Sequence, residues 1–255
     1  MNGGRMQDRV TVVTGAAGGF GRATSERVLE EGGAVGLWDL DGERLQRTAT
    51  ELAKLGPVHA VVVDVGDSAV VDAAAAETRA QLGPIDSLLN NAGYVVGTPP
   101  WEVTDEEWEK HFQVNADGAF WCVRACLPDM RERGYGKIVS IASQAALQGR
   151  PTTSPAYAAS KGAILGMTVS LARNLGECGI CVNAINPGFI RTEIHDQFSD
   201  QQIAELKADV PLHRDGVKGK GLPVDIANAV LFLLSRESDY VSGEFLNVNG
   251  ASRTG

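Results

Sequence analysis

The segment Val10-Thr-Val-Val-Thr-Gly-Ala-Ala-Gly-Gly-Phe-Gly21 decides the fold of this 255-residue chain. Its first half, residues 10–14, is a β-branched run without polar alternation, which is typical of a strand buried on both faces of a parallel sheet. Its second half brings Gly15, Gly19 and Gly21 to the turn between this strand and a helix. Glycine allows a tight turn there and lets backbone N–H groups approach an anion at the helix N-terminus. The segment therefore predicts a parallel α/β fold with an anion site at its first turn.

The pattern of strand followed by helix repeats along the whole chain. Stretches rich in Ala, Leu, Glu and Arg, which favour helix, separate the short β-branched runs. Strict alternation of this kind indicates a parallel sheet covered by helices on both faces. We therefore predict an α/β, Rossmann-type doubly wound parallel sheet of about seven strands in a three-layer α/β/α sandwich. The predicted strands are 10–14, 34–39, 58–64, 85–90, 136–142, 180–186 and 244–248, and the predicted helices are 22–31, 42–55, 69–81, 105–133, 157–177 and 224–234.

No repeat, low-complexity tract or Pro/Ser-rich linker divides the chain, so residues 1–255 are expected to form a single domain. The stretch 105–133 is too long for one ordinary helix, and Asn115 and Gly118 predict two helices or a kink near Asn115. The least regular stretch is 189–221. A long excursion from a regular scaffold is often a lid, and we expect one here.

Composition excludes several classes of partner. The net charge of −9 gives no positive field for nucleic acid or an anionic membrane. No window approaches ~18 apolar residues, and the N-terminal residues lack the apolar core of a secretory signal, so a cytoplasmic location is expected. No metal site is predicted. The spacing of Cys178 and Cys181 can serve a redox pair or half a metal site, but we interpret both as small buried hydrophobic residues. The histidines have no ligand spacing; they are His59, His111, His195 and His213.

Asp39 closes the second predicted strand. A carboxylate at this strand end can accept hydrogen bonds from adenosine ribose hydroxyls and repels a 2′-phosphate, which favours NAD over NADP. Neither neighbour, Trp38 or Leu40, is a cation that would accommodate the additional phosphate. The alternative is that Asp39 only caps the following helix. The glycine spacing is G-x-x-x-G-x-G and not the general dinucleotide spacing G-x-G-x-x-G, so it indicates a variant within the Rossmann class.

Tyr157-Ala-Ala-Ser-Lys161 places a phenol and an ammonium group one helical turn apart on one face. Free tyrosine titrates near pH 10, which is too high for efficient proton transfer at neutrality. A cation ~4 Å away contributes on the order of 4 kcal/mol at an effective dielectric of ~20, enough to lower the pKa by about three units. Lys161 is therefore expected to lower the pKa of Tyr157. Ser143 ends a β-rich run shortly before and completes the candidate set.

In their order along the chain these residues resemble the short-chain dehydrogenase/reductase family, from about Asp8 to Gly250. The interval between Ser143 and Tyr157 is one residue longer than the family's usual pattern, which leaves Ser140 as an alternative to Ser143. The matching pieces are Thr14-Gly-Ala-Ala-Gly-Gly-Phe-Gly21, Asp64-Val65, Asn90-Asn-Ala-Gly93, Asn115, Ser143, Tyr157-Ala-Ala-Ser-Lys161, Pro187-Gly188 with Thr192, and Tyr240-Val-Ser-Gly243 through Asn247-Val-Asn-Gly250.

The resemblance implies a role for each catalytic residue. Tyr157 would be the general acid/base, Lys161 would lower its pKa and hold the nicotinamide ribose, and Ser143 would hydrogen-bond the substrate oxygen. Asn115 would anchor a water that continues the proton path. In the alternative interpretations Asn115 only breaks the helix, Ser143 only caps a turn, and Asn90 with Asn91 only stabilises the sheet. The implied cofactor contacts are Gly15, Gly19, Phe20, Gly21, Asp39, Leu40, Asp64, Val65, Asn91, Ala92, Gly93, Tyr157, Lys161, Pro187, Gly188, Ile190 and Thr192.

The resemblance also implies an NAD-dependent oxidoreductase that transfers a hydride reversibly between NAD(H) and a secondary alcohol or ketone, in a homotetramer. The alternatives are a 3-oxoacyl thioester reductase, an NAD-using epimerase or dehydratase of the same fold, and a non-catalytic dinucleotide-sensing regulator. Residues 94–101, 145–153 and 189–220 are expected to shape the substrate pocket, where Lys218 and Lys220 could meet an anionic group.

Overall fold

Seven parallel strands form the central sheet of the computed structural model, which describes residues 4–149, 153–192, 199–219 and 221–253. Their order is β3-β2-β1-β4-β5-β6-β9. These strands are β1 (Val10–Thr14), β2 (Ala34–Asp39), β3 (Val58–Val62), β4 (Ile85–Asn90), β5 (Gly136–Ile141), β6 (Ile180–Pro187) and β9 (Phe245–Val248), and a separate hairpin pairs β7 (His213–Arg214) with β8 (Val217–Lys218). The α-helices are α1 (Gly19–Glu30), α2 (Gly42–Leu52), α3 (Ser68–Leu82), α4 (Asp105–Phe112), α5 (Gly118–Arg133), α6 (Ala145–Gln148), α7 (Pro155–Leu175), α8 (Asp200–Ala208) and α9 (Pro223–Leu234).

Helices cover both faces of the sheet. Successive residues of a strand point to opposite faces, so Val13 packs with α1, α2 and α9, whereas Val12 packs with α3, α5 and α7. All residues of β1, β4 and β5 are buried, which agrees with the lack of strict polar and apolar alternation in their sequences. The predicted fold class is confirmed. None of the helices in the described part of the chain combines the length and apolar character needed to cross a bilayer.

The predicted break near Asn115 is a π-helical turn at Gln113–Asp117, inserted between α4 and α5. A π turn accommodates one more residue than an α turn, and such turns are often found at functional sites. The turn directs Asn115 inward, where it is buried. The next helix begins with Gly118, where a larger residue would not fit. A Cβ atom there would lie 2.9 Å from Cγ2 of Val65 and 3.0 Å from the Val65 carbonyl oxygen.

The excursion after β6 has more regular structure than the sequence predicts. It contains α8, which begins with a capping box at Ser199, and the β7–β8 hairpin. Phe189, Ile203 and Val210 form a small apolar cluster that packs this segment together. Lys218 is exposed on the hairpin, whereas the expectations for His195 and Lys220 lie outside the described residues.

A set of hydrogen bonds joins the carboxyl ends of β1 and β4. Thr14 Oγ1 accepts from the backbone N–H groups of Asn91 and Ala92, both at 2.9 Å. In return, Asn91 Nδ2 donates to the carbonyl oxygens of Thr14 and Gly15, both at 3.0 Å. These bonds satisfy backbone groups that lose their sheet partners where the two strands end. The Asn91 side chain therefore stabilises the sheet, as the alternative interpretation of this residue proposed.

Replacing Thr14 by valine keeps the side-chain volume but removes the acceptor of two N–H groups. We expect Thr14→Val to lower the free energy of unfolding by about 1–3 kcal/mol, because the two donors lose their partner. Urea denaturation measures this change. The control is Thr50→Val on the exposed side of α2, where Oγ1 donates to the Gln46 carbonyl. An equal loss of unfolding free energy in both variants would contradict the role given to Thr14.

Candidate active site

A cleft of about 550 Å³ opens at the carboxyl edge of the sheet. It lies where β1 and β4 are neighbours and lead to helices on opposite faces, the position at which doubly wound sheets bind their ligands. The structure brings most of the predicted site residues to its walls. These residues are Gly15, Gly19, Phe20, Asp39, Asn91, Ala92, Gly93, Ser143, Tyr157, Lys161, Pro187, Gly188, Ile190 and Thr192.

Five predicted residues do not line this cleft. The Leu40 side chain is 67% exposed, and Asp64 Oδ1 accepts from the Gly66 backbone N–H at 2.9 Å. Val65 packs against Gly118. Gly21 lies beneath the first turn, and Asn115 borders a smaller cavity. Cofactor contacts of Gly21, Leu40, Asp64 and Val65 stay predictions.

The glycine turn fits an anionic group such as a pyrophosphate. Gly15 has φ +63°, a backbone conformation that favours glycine, and a Cβ atom on Gly21 would lie 2.2 Å from the Gly15 carbonyl oxygen. No side chain caps the N-terminus of α1, so its first N–H groups face the cleft without a side-chain acceptor. An uncapped helix N-terminus behind a turn without side chains is suited to bind phosphate oxygens.

Asp39 lines the cleft with its carboxylate held by backbone donors. Oδ2 accepts from Ala17 N–H at 2.9 Å, and Oδ1 accepts from Asp41 N–H at 3.0 Å. The N-cap of α2 is Asp41, whose carboxylate accepts from Arg44 N–H at 3.0 Å. The alternative that Asp39 only caps the helix is therefore wrong.

Arg44 is a cleft residue that the sequence analysis does not identify. Its guanidinium lies against Gly18, where an added Cβ atom would be 1.9 Å from Nη2. The sequence shows no cation directly beside Asp39. However, α2 starts so soon after β2 that its first turn, which contains Arg44, reaches the cleft. The N-cap signal of Asp41 could have placed Arg44 there.

The structure brings Ser143, and not Ser140, to Tyr157. Both side chains line the cleft, and Ser143 Oγ accepts from Ala145 N–H at 3.1 Å. Ser140 is buried within β5, where Asn90 Nδ2 donates to its hydroxyl at 3.4 Å. Tyr157 lies in the first turn of α7, which begins at Pro155, a residue well suited to that position.

The prediction that Lys161 lowers the pKa of Tyr157 is wrong for the structure as described. The ammonium lies 6.0 Å from the Tyr157 ring centroid and donates to the Ile141 carbonyl at 2.8 Å. Burial raises the pKa of the Tyr157 phenol, and the nearby Ser143 side chain offsets this rise only in part. Burial also lowers the pKa of Lys161 to about 8. Desolvation therefore dominates both groups, and Lys161 is not among the causes that shift the pKa of Tyr157.

Asn115 lies both at the helix irregularity and beside Lys161. Its Oδ1 accepts from Tyr94 N–H at 2.8 Å, while Nδ2 donates to the Tyr94 carbonyl at 2.9 Å and to Ser160 Oγ at 3.0 Å. A cavity of about 10 Å³, close to the volume that one water occupies, has Asn115, Lys161 and Asn90 in its walls. Gly93 lies beside both side chains, since a Cβ atom there would lie 3.3 Å from Asn115 Oδ1 and 3.5 Å from Lys161 Nζ.

His111 supports the tyrosines of the site from behind. It is buried on α4, its Nδ1 is bonded to the Glu107 carbonyl at 2.9 Å, and its ring packs edge-on against Tyr157 with centroids 6.2 Å apart. The Tyr94 ring lies closer, at 4.8 Å. Within the described ranges, no three His, Cys, Asp or Glu side chains form a group that could hold a metal ion.

Comparison with known proteins agrees with this architecture. The family model described as enoyl-(acyl carrier protein) reductase matches residues 15–251. The chain is 36% identical over 252 residues to the 2-dehydro-3-deoxy-L-rhamnonate dehydrogenase (NAD(+)) of Sphingomonas sp. (strain SKA58), covering 98% of each chain. It is also 36% identical over 252 residues to the 3alpha-hydroxysteroid dehydrogenase of Mediterraneibacter gnavus, again covering 98% of each chain.

A solved structure shares the fold over nearly the whole chain. The crystal structure of a 3-oxoacyl-[acyl-carrier protein] reductase with bound NAD from Brucella melitensis has a TM-score of 0.87 at 34% identity, covering 96% of this chain and 93% of that one. The family model and these relatives span the glycine turn, the Ser143–Tyr157 pair and the C-terminal strand alike. The chain therefore belongs to the short-chain dehydrogenase/reductase family and is an oxidoreductase.

Proposed function

We propose that this enzyme transfers a hydride reversibly between NAD(H) and a secondary alcohol or ketone, with Tyr157 as the acid/base. The observation that carries the proposal is that Tyr157 and Ser143 line the same cleft as the glycine turn and Asp39. The nicotinamide, when bound, supplies or accepts the hydride. The protein has to bind the reacting oxygen and move one proton.

The two hydroxyl groups divide this work. In ketone reduction, the Tyr157 hydroxyl donates its proton to the substrate oxygen, and the Ser143 hydroxyl donates a second hydrogen bond to the same oxygen. In alcohol oxidation the proton moves back to Tyr157. Lys161 holds a proton at Nζ near this pair, and the cavity beside Asn115 has the size and polar walls to admit a water that returns protons.

Asp39 is proposed to bind the adenosine ribose and to favour NAD. Its oxygens lie at the cleft wall, where a 2′-phosphate would meet a negative charge. Two relatives support the proposal by their names, one as an NAD(+) dehydrogenase and one as a structure with bound NAD. Arg44 is the nearby group that could offset this repulsion, so cofactor choice depends on the balance of the two side chains.

A second candidate function is reduction of a 3-oxoacyl thioester. The likeness to the Brucella melitensis reductase favours it. The walls expected to shape the substrate pocket contribute Tyr94, Val95, Ala145, Thr153, Phe189 and Leu206 to the cleft. This mixed, mainly apolar set accepts an acyl chain as well as a cyclic ketone.

We further propose a homotetramer that works in the cytoplasm. Trp108, Phe120 and Val169 expose large apolar surfaces on α4, α5 and α7. Such groups are suited to burial between subunits.

Replacing Tyr157 by phenylalanine removes the hydroxyl and keeps the ring. We expect Tyr157→Phe to lower kcat by about 10²–10⁴-fold with unchanged dinucleotide affinity, because only the proton transfer is lost. NADH absorbance measures turnover and fluorescence titration measures binding. Tyr135→Phe, just before β5 and therefore at the opposite end of the sheet, is the control and should keep wild-type activity. Full activity of Tyr157→Phe would refute the mechanism.

Lys161→Met tests whether the buried charge opposes folding. The variant should lose activity yet gain stability on the order of 3 kcal/mol at neutral pH, the equivalent of a pKa lowered from 10.5 to about 8. Below pH 8 both folded and unfolded chains carry the proton, so the gain is complete. Between pH 8 and 10.5 the folded chain releases the proton first, and the gain declines to zero.

The control for this experiment is a second buried lysine. Lys137 is ion-paired with Asp239 at 2.8 Å, so Lys137→Met removes a compensated charge and should destabilise the protein. Denaturant unfolding at several pH values measures both variants. A loss of stability in Lys161→Met at pH 7 would contradict the interpretation.

Cofactor choice is tested at Asp39 and Arg44. We expect Asp39→Ala to lower the ratio of kcat/KM for NAD over NADP by at least about tenfold, since a charged hydrogen bond contributes 1.5 kcal/mol or more. Adding Arg44→Ala should remove the gained NADP activity. Glu43→Ala, an exposed carboxylate on α2, is the matched control. An unchanged ratio in Asp39→Ala would remove the argument for NAD.

A further inference from the structure

Gln144 is a buried amide in the cleft wall that the mechanism above does not use. It follows Ser143 directly, lines the cleft, and is only 1% exposed. Its Oε1 accepts a hydrogen bond from Ser252 Oγ at 2.8 Å. Its Nε2 is buried and has no hydrogen-bond partner among the described residues. A donor group is therefore held in the wall beside the serine that binds the reacting oxygen.

The C-terminal segment fixes the orientation of this amide. Ser252 N–H donates to the Asn249 carbonyl at 3.2 Å, and the Asn249 side chain bonds Ala251 N–H at 2.9 Å and the Arg253 carbonyl at 3.0 Å. The same segment packs over the cleft, since a Cβ atom on Gly188 would lie 2.6 Å from Asn249 Cα. The turn therefore holds Ser252 in place, and Ser252 engages the carbonyl end of Gln144.

An unpartnered buried N–H destabilises the folded protein, and native structures have few of them. Sites that bind a substrate oxygen are an exception, because the ligand supplies the missing acceptor and analogues without that oxygen are rejected strongly. The apolar walls near Gln144, among them Val95, Ala145 and Phe189, offer no acceptor of their own from their side chains. A substrate oxygen that reaches Nε2 as the cleft wall adjusts to the substrate would supply the missing acceptor.

We propose that Gln144 determines specificity by donating from Nε2 to a second oxygen of the substrate, a hydroxyl or carbonyl close to the reacting carbon. The inference rests on the proposed function, which places the reacting oxygen at Tyr157 and Ser143. Gln144 directly follows Ser143 and both line the same cleft, so we place the second oxygen on a carbon close to the reacting one. The substrate class is therefore α- or β-oxygenated ketones and the corresponding diols or hydroxy acids.

Matched ketones test this role. Each pair has one carbon skeleton with and without a neighbouring hydroxyl: 3-hydroxybutan-2-one with butan-2-one, 2-hydroxycyclohexanone with cyclohexanone, and 2-hydroxyacetophenone with acetophenone. Wild type should favour the hydroxylated member of the turned-over pairs by at least about tenfold in kcat/KM. Gln144→Leu should lower kcat/KM for that member by at least about tenfold, chiefly through KM, and change the plain ketone by less than about threefold.

Further variants separate binding from folding. Gln144→Glu keeps the shape but replaces the donor with an acceptor, so it should discriminate against a neighbouring carbonyl, as in butane-2,3-dione, more than against a hydroxyl. Ser252→Ala should have a partial effect in the same direction as Gln144→Leu, because the amide loses its anchor. Gln81→Leu, exposed on α3 and outside the cleft, is the matched control and should leave every ratio unchanged.

The outcomes distinguish two failures. If wild type reduces both members of every pair equally, or Gln144→Leu lowers both equally, the role of Gln144 is overturned while the proposed function stands. If wild type turns over none of the six ketones with either dinucleotide, the proposed function fails and the inference fails with it. Selective loss of the hydroxylated member in Gln144→Leu, with unchanged unfolding, supports the proposal.

Discussion

Where two neighbouring strands of a parallel sheet end and continue into helices on opposite faces, their last backbone groups lose their hydrogen-bond partners. The need to satisfy these groups governs the whole site. Here it falls between β1 and β4, at the centre of the sheet. Thr14 and Asn91 supply the missing partners with their side chains. Once those bonds are made, the glycine turn has a fixed base from which its N–H groups face the cleft. The position of the site therefore follows from the order of the strands, and the side chains at their ends make that position stable.

The chemistry places a second demand on the interior, because it requires a cation beside a phenol where little water is present. The Ile141 carbonyl takes one hydrogen bond of the Lys161 ammonium, and burial still makes its charged form less favourable. Burial likewise favours the protonated form of Tyr157. Both effects have the same origin, the removal of water, which also strengthens each hydrogen bond made to a substrate. Burying these groups lowers the folding stability of the protein but strengthens the interactions that bind the substrate.

The sequence was sufficient where a feature depends on local pattern. The bounds of β1, β2 and β4 agree with the prediction because each strand is a short run between clear breakers, although β4 also contains Asp86 and Ser87. The third strand ends at Val62, before the predicted Asp64, because edge pairing with β2 stops there. The irregularity near Asn115 was also predictable, although its form as a π turn was not. Asn and Gly indicate an interruption without giving its geometry.

Features that depend on tertiary contact were out of reach. The pKa of Tyr157 was predicted in the wrong direction, because spacing along a helix shows neither the burial of the phenol nor the strand carbonyl that accepts from Lys161. Gln144 has a partner more than a hundred residues away in the chain, Ser252, so no local pattern indicates it. Arg44 reaches the cleft because of where α2 begins. It stays a prediction that residues 1–255 form one dinucleotide-binding and catalytic domain. The roles of the individual site residues also stay predictions.

The π turn at Gln113–Asp117 limits how this region can vary in length. A π turn contains one residue more than an α turn, so deleting one residue here would restore a regular helix and leave the rotation of α4 against α5 nearly unchanged. The loss would be local, because without the wide turn Asn115 would no longer be held against Tyr94. Amino-acid exchanges at exposed Gln113 keep the π turn, whereas a deletion removes it. Natural variation in chain length is therefore better accommodated in the surface excursion after β6 than between α4 and α5.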